Sequence, residues 1–208
     1  MEEKPVVYVV DDDPAMIRLL AELVAVLGLE ARAYQSAEEF LRAYEASEPG
    51  CLVLDVRIPG ISGMELQKHL IAAGHTLPII FITGHADVRM AVEAMERGAF
   101  GFLEKPFRPH ELCDKIQAAV KRDAEAWRFR EERQRAARRL ARLTPAERRV
   151  ADRLVAGKTN KMIAQELGLS VRTIEAQRAS LMERLGMKHR TELASLATAL
   201  GAAYRSGV

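Results

Sequence analysis

The stretch Cys51-Leu-Val-Leu-Asp55-Val-Arg57-Ile-Pro59-Gly60 combines four apolar residues with a carboxylate and a turn. A short apolar run with turn residues on both sides is typical of a buried central strand in a parallel sheet. Ligands of open α/β sheets bind beyond the carboxyl ends of the strands, and Asp55 would lie at such an end. We therefore expect the chemistry of the chain to centre on Asp55.

Four other runs predict further strands, and a helix signal follows each of the first four strands. The sequence Asp13-Pro14 supplies an N-cap and a proline suited to the first helical position, while Ser36-Ala-Glu-Glu39 and Ser62-Gly-Met-Glu65 match the capping box. Five strand–helix steps of regular length indicate an α/β domain with a doubly wound five-stranded parallel sheet. The predicted strands are residues 6–10, 29–34, 51–55, 78–82 and 99–103.

Charge divides the chain into two parts. Residues 1–123 carry 13 Lys and Arg against 20 Asp and Glu, a net charge of −7, whereas residues 124–208 carry 18 against 9, a net charge of +9. We predict a first domain over residues 1–123, a charged helical linker over residues 124–140 and a second domain over residues 141–208. A coiled-coil dimer seam is the alternative for the linker. Two helices joined across Gly168-Leu169-Ser170 indicate that the second domain is an all-α four-helix unit with a helix-turn-helix.

Polar residues that could serve one phosphoryl group follow several of the predicted strands. Asp11, Asp12 and Asp55 would converge, and their mutual repulsion would raise their pKa values unless a hard divalent cation bound there. The Thr83 hydroxyl and the Lys105 ammonium would follow two other strands. This combination suits phosphoryl transfer, in which positioning and charge neutralisation supply most of the catalysis.

The residues of this pocket resemble the receiver domains of two-component response regulators, and Asp55-x-Arg57-x-Pro59-Gly60-x-Ser62-Gly63 is similar to the FixJ subgroup in particular. The resemblance covers residues 5–122 and implies a flavodoxin-like fold. It also implies that a sensor histidine kinase phosphorylates Asp55, and that Mg²⁺ is held by Asp12, Asp55 and the Arg57 backbone carbonyl, with Asp11 acting through water.

The same resemblance implies a conformational switch and a cis Lys105-Pro106 bond. In the switch, Thr83 turns toward the phosphoryl group and Phe102 moves inward. Arg57 and His85 flank the pocket and are expected to influence the lifetime of the phosphoryl group. The chain is then a regulator and not an enzyme.

A phosphatase of the haloacid-dehalogenase type is one alternative, because Val9-Val10-Asp11-x-Asp13, Thr83 and Lys105 superficially match its motifs. Against it, Pro14 stands where that family has a small flexible step, and Asp55 would have no role. A second alternative is a constitutive DNA-binding protein with a vestigial receiver.

The second domain closely resembles the LuxR-type DNA-binding domain over residues 141–204, through Leu143-Thr-Pro-Ala-Glu147, Gly157-Lys-Thr-Asn160 and Leu169-Ser-Val-Arg-Thr173. Its recognition helix would bury Val171, Ile174, Leu181 and Leu185. The residues expected to face the major groove are Arg172, Glu175, Ala176 and Ala179. Those expected to contact DNA phosphates are Lys158, Asn160, Lys161, Thr173 and Arg178, the last with its stem packed against the helix.

Together these features predict a transcription regulator that forms homodimers on phosphorylation and binds promoter DNA, with RNA polymerase as a further partner. No apolar run reaches the length needed to span a bilayer, and the amino terminus lacks the pattern of a secretory signal, so we expect a cytoplasmic protein without membrane contact. Cys51 and Cys113 are expected to be plain buried thiols.

Overall fold

The computed structural model describes residues 4–84, 88–187 and 189–200. Its contacts divide the chain into two compact units, Met1–Trp127 and Arg128–Val208. Among the described residues, no helix is both long enough and apolar enough to cross a membrane.

The first unit is built on a five-stranded parallel sheet in the order β2-β1-β3-β4-β5, which confirms the predicted doubly wound fold. The first and third strands, both apolar, are fully buried and lie at the centre, as their sequences predict. The more polar second strand lies at the edge. The strands are β1 (Val6–Val10), β2 (Glu30–Tyr34), β3 (Gly50–Asp55), β4 (Ile79–Thr83) and β5 (Gly101–Glu104).

Helices cover both faces of the sheet and close one apolar cluster on each. Asp13 caps the first helix and Ser62 with Glu65 forms a full capping box on the third, both as predicted. The capping box at Ser36 is incomplete, because the carboxylate of Glu39 accepts a hydrogen bond from the N–H of Gln35 instead. The helices are α1 (Pro14–Val26), α2 (Ala37–Ala43), α3 (Gly63–Ala72), α4 (Val88–Glu96) and α5 (Pro109–Leu140).

Two glycines let other backbone segments approach β3 at its two ends. A Cβ atom on Gly50 would lie 2.0 Å from the carbonyl oxygen of Val6, and one on Gly63 would lie 2.3 Å from the carbonyl oxygen of Asp55. Since real contacts of this kind are never so short, each position requires glycine. The start of α3 therefore packs directly on the backbone of Asp55.

The helix α5 is continuous through the segment predicted as a linker. Within the first unit, the buried carboxylate of Asp123 accepts a hydrogen bond from Gly50 N–H at 2.9 Å, at the opposite end of β3 from Asp55. Within the second unit, Ala136 and Leu140 are buried in the apolar core. The last turns of α5 thus contribute to the core of the second unit.

The second unit adds four helices, α6 (Pro145–Val155), α7 (Asn160–Leu167), α8 (Val171–Arg184) and α9 (Arg190–Leu200). Gly168 adopts φ +66° in the turn between α7 and α8, and the two helices form the predicted helix-turn-helix. The N-cap of α7 is Thr159 and not the adjacent Asn160, because the hydroxyl of Thr159 accepts the hydrogen bond from Met162 N–H. Thr159 is one residue earlier and has the extended backbone that an N-cap needs.

Candidate functional site

The parallel register brings the predicted pocket residues together at the carboxyl edge of the sheet. Asp55 ends β3 beside Ile82 of β4, and Thr83 is the next residue along. Lys105 follows β5, and its N–H donates to the carbonyl oxygen of Thr83 at 2.7 Å. Asp11 follows the neighbouring β1. Four residues that are distant in sequence thus meet in one pocket.

Lys105 bridges two carboxylates of this pocket. Its Nζ donates to Asp11 Oδ2 and to Asp55 Oδ2, each at 2.7 Å. Burial alone would lower the pKa of Lys105, but the hydrogen bonds to Asp11 and Asp55 outweigh it and raise the pKa above its usual value. The ammonium group is therefore firmly charged and holds Asp11 and Asp55 in place.

Asp11 is fully buried, and its pKa is raised above the usual value. The main cause is burial, whereas hydrogen bonds from Lys105 and from Asp13 N–H oppose it, and the charge of Asp55 is the smallest of these effects. Asp55 thus raises the pKa of Asp11, as expected from repulsion between the two carboxylates, but burial is the larger cause.

One carboxylate oxygen from each of Asp11, Asp12 and Asp55 lies within 4.8 Å of the other two. Asp12 is exposed, whereas the other two are buried, so the cluster opens to solvent on the Asp12 side. Arg57 N–H donates to Asp55 Oδ1 at 2.9 Å, which places the Arg57 backbone beside the cluster. Carboxylate oxygens are the donors that Mg²⁺ prefers, so these three residues fit the predicted ion.

The predicted switch residues Thr83 and Phe102 lie on the neighbouring strands β4 and β5. Thr83 is fully buried, and Phe102 is partly buried against Phe81, with the ring centroids 6.3 Å apart. The peptide bond between Lys105 and Pro106 is cis, as the family resemblance implies. His85 lies outside the described residues.

The predicted groove-facing residues of α8 form an exposed surface on the second unit. Arg172, Glu175, Ala176 and Ala179 are all exposed, and Arg178 and Thr173 are partly buried. The buried side of the helix consists of Ile174, Leu181 and Leu185. Val171 was expected on that side but is 40% exposed. As the first residue of the helix, it lies beyond the edge of the core.

The other candidate phosphate contacts lie on or near α7. Lys161 is exposed and Asn160 is partly buried. The Nζ of Lys158 pairs with Glu166 Oε1 at 2.5 Å, and Arg153 Nε pairs with the other oxygen of Glu166 at 3.1 Å. To contact a DNA phosphate, Lys158 must therefore break its ion pair with Glu166 or contact both groups at once.

Glu147 is a structural residue whose full role the sequence did not reveal. It forms a capping box with Thr144 at the start of α6, and it is only 4% exposed. Its Oε1 also accepts a hydrogen bond from Ser180 Oγ at 2.7 Å and lies 3.4 Å from Arg184 Nε. These interactions lower the pKa of Glu147 to about 2, and the hydrogen bond from Ser180 has the largest effect. Glu147 thus joins α6 to the recognition helix α8.

We expect Glu147→Ala to loosen α8. The change leaves the N-cap Thr144 in place but removes the carboxylate that accepts from the N–H of Thr144, and it leaves Ser180 without its acceptor, which should cost roughly 2 to 3 kcal/mol of stability. Because the folded pKa of Glu147 lies below its ordinary value of 4.5, its contribution is present above pH 4.5 and is lost as pH falls toward about 2. Hydrogen exchange of α8 peptides should therefore accelerate in the variant at pH 7.

The variant Glu147→Gln is the matched control, because its amide oxygen can still accept from Ser180. It should exchange more slowly than Glu147→Ala at pH 7. Equal exchange in wild type and Glu147→Ala would show that α8 is held without this carboxylate.

Two family models match the chain. The response regulator receiver domain matches residues 7–117, and the bacterial regulatory proteins of the luxR family match residues 141–197. The two matches correspond to the pocket and to the helix-turn-helix described above.

Similar proteins match nearly the whole chain. The transcriptional regulatory protein FixJ of Azorhizobium caulinodans is 43% identical over 98% of this chain and 96% of its own length. FixJ of Bradyrhizobium diazoefficiens is 41% identical, with 97% and 98% covered. Among solved structures, the response regulator StyR is 38% identical with a TM-score of 0.85, covering 94% of this chain and 98% of its own. Full-length FixJ from B. japonicum is 41% identical with a TM-score of 0.56, covering 96% and 98%.

Proposed function

This chain belongs to the FixJ-like response regulators, transcription regulators of two-component systems that join a receiver domain to a LuxR-type DNA-binding domain, and we propose that Asp55 is its phosphoacceptor. The observation that supports this assignment is the position of Asp55 at the end of the central strand, with its two oxygens held by Lys105 and by the Arg57 N–H. Both bonds orient the carboxylate without blocking the open Asp12 side of the pocket.

In the proposed reaction, a carboxylate oxygen of Asp55 attacks the phosphorus atom of a phosphohistidine on the sensor kinase. The new bond joins that oxygen to phosphorus, and the bond from phosphorus to the histidine nitrogen breaks, with its electron pair remaining on the nitrogen. The Lys105 ammonium and the Thr83 hydroxyl contact the oxygens of the phosphoryl group, where negative charge must be balanced. These three side chains are the proposed catalytic residues.

Mg²⁺ is the proposed cofactor, held by Asp12, Asp55 and the Arg57 carbonyl, with Asp11 acting through water. When bound, the ion neutralises charge on the carboxylates and on the phosphoryl oxygens. Asp11 keeps its place through the hydrogen bonds from Lys105 and from Asp13 N–H. The donor set of the pocket supports this assignment.

We further propose that phosphorylation shifts Thr83 and Phe102 and thereby favours a homodimer on DNA, with RNA polymerase as a further partner. In the dimer, two α8 helices enter successive major grooves. Glu175 can accept from a cytosine amino group, and Ala176 and Ala179 can approach a thymine methyl group. Arg172 is the fourth exposed residue of this surface, and the remaining contacts are to phosphates: Lys158, Asn160, Lys161, Thr173 and Arg178.

The domain limits 1–123, 124–140 and 141–208 stay proposals, as does the assignment of the chain as a regulator without turnover of its own. No finding favours the phosphatase alternative or a vestigial receiver, and the complete pocket supports a working receiver.

One experiment tests the proposed function directly. The full chain is incubated with acetyl phosphate and Mg²⁺, and the product is analysed by intact mass and peptide mapping. We expect a gain of about 80 daltons, one HPO₃ group, on the peptide that contains Asp55. DNA affinity, measured by fluorescence anisotropy, should rise roughly 5- to 150-fold with the same treatment. Phosphorylation at another residue, or none, would contradict the proposal.

A further inference from the structure

The loop between β3 and α3, residues 56–62, is held in its outer half by a residue of α2. The N–H of Ile61 donates to Glu38 Oε1 at 3.1 Å, across 23 positions of the sequence. At the base of the loop, Val56 N–H donates to the carbonyl oxygen of Ile82, and Gly63 N–H donates to that of Val56, both at 3.0 Å. The contact with Glu38 is thus distinct from the hydrogen bonds that close the base of the loop.

The carboxylate of Glu38 also fits closely against Gly60. A Cβ atom at Gly60 would lie 2.5 Å from Glu38 Oε1, and Gly60 has φ +76°, which favours glycine. Glu38 is therefore packed against two consecutive residues of the loop, through van der Waals contact at Gly60 and a hydrogen bond at Ile61. A side chain at position 60 would push Glu38 away from Ile61.

The same loop carries Arg57, whose backbone carbonyl belongs to the proposed metal site. The inner part of the loop is held by Arg57 N–H on Asp55 Oδ1 and by the burial of Ile58 in the core. In the outer part, Pro59 and Gly60 are exposed, whereas Ile61 packs partly against the apolar core and donates its N–H to Glu38. Motion of this outer part would disturb the peptide group that follows Arg57.

We propose that Glu38 is a positioning residue for the metal site, which restrains the loop through Ile61 and so raises the affinity of the pocket for Mg²⁺. The proposal rests on the metal site assigned above. Glu38 acts through the loop, because its hydrogen bond goes to Ile61 and not to the pocket residues.

The test is a titration of the full chain with MgCl₂ by isothermal calorimetry, with hydrogen exchange of the Ile61 amide as a second readout. Glu38→Ala should raise the dissociation constant for Mg²⁺ three- to tenfold, about 0.7 to 1.4 kcal/mol, and should speed exchange at Ile61. Glu38→Gln should stay within about twofold of wild type, since its amide oxygen can accept the same bond.

One further variant separates loop positioning from charge. Glu39→Ala removes the same charge from the next residue, whose carboxylate accepts from Gln35 N–H instead, and it should leave the Mg²⁺ affinity within twofold of wild type.

Two results would overturn the inference. If Glu38→Gln weakens binding as much as Glu38→Ala, the effect is one of long-range charge; if Glu38→Ala binds like wild type, the loop is held without it. Failure of wild type to bind Mg²⁺ at all would instead refute the metal site itself, so the two failures are distinguishable.

Discussion

Asp55→Asn is expected to abolish phosphoryl uptake and to leave the fold intact. Asparagine has nearly the same shape, and its oxygen can still accept from Lys105 or from Arg57 N–H, but it has no anionic oxygen to attack phosphorus. Intact mass after treatment with acetyl phosphate and Mg²⁺ should therefore show no gain of about 80 daltons. The DNA affinity of this variant should no longer respond to the phosphodonor.

The matched control is Asp13→Asn, the same chemical change at a carboxylate that caps α1 and lies outside the pocket. Because asparagine is also a good N-cap, this variant should take up the phosphoryl group like wild type. A phosphatase would behave in the opposite way, with turnover of small phosphoesters that survives Asp55→Asn and is lost in Asp11→Asn. Phosphorylation of Asp55→Asn at an unchanged rate would exclude Asp55 as the acceptor.

Lys105→Met is expected to lower the free energy of unfolding by about 3 kcal/mol in the presence of EDTA. The change removes the ammonium that lies 2.7 Å from both Asp11 and Asp55, and breaking a buried ion pair on one side is costly because the remaining charge is left uncompensated. Saturating Mg²⁺ should restore much of the loss, since the ion then neutralises the same carboxylates. Thermal unfolding with EDTA and with Mg²⁺ measures both effects.

The loss in Lys105→Met should also depend on pH. Burial raises the pKa of Asp11, and without the Lys105 hydrogen bond that opposes it the folded pKa should rise further. A carboxyl group with a higher pKa in the folded state binds more protons there, so stability increases as pH falls. The deficit should therefore be larger at pH 8 than at pH 5. Lys121→Met, at an exposed position of α5, is the control and should change stability little; an equal loss there would show a general effect of charge.

Much of the first unit was predictable because its signals are local. Apolar runs specify the strands, and a parallel sheet brings all their carboxyl ends to one edge, so the meeting of Asp11, Asp55, Thr83 and Lys105 follows from topology. The capping residues Asp13 and Ser62 could likewise be predicted from adjacent residues.

Contacts between side chains of different elements were not predictable in this way. In the sequence, Glu38 is an acidic residue in the first turn of α2, a common position for glutamate. Nothing nearby in sequence indicates that its carboxylate accepts a hydrogen bond from Ile61 N–H. Glu147 could be predicted as a cap, but its bond to Ser180 depends on how α8 crosses α6. The exposure of Val171 depends on where the core ends, which periodicity along a helix does not determine.

The bridge that Lys105 makes between Asp11 and Asp55 sets the electrostatic balance of the whole cluster. With all three carboxylates ionised, the ammonium leaves the cluster with a formal charge of −2, which one divalent ion makes electroneutral. Replacing the carboxylate of Asp55 by a dianionic acyl phosphate would then return one unit of negative charge to a confined space. The dipoles of the surrounding hydroxyl and amide groups have to stabilise that extra negative charge. Phosphorylation is therefore expected to shift the protein groups around the pocket, because the charge of the metal ion is already balanced.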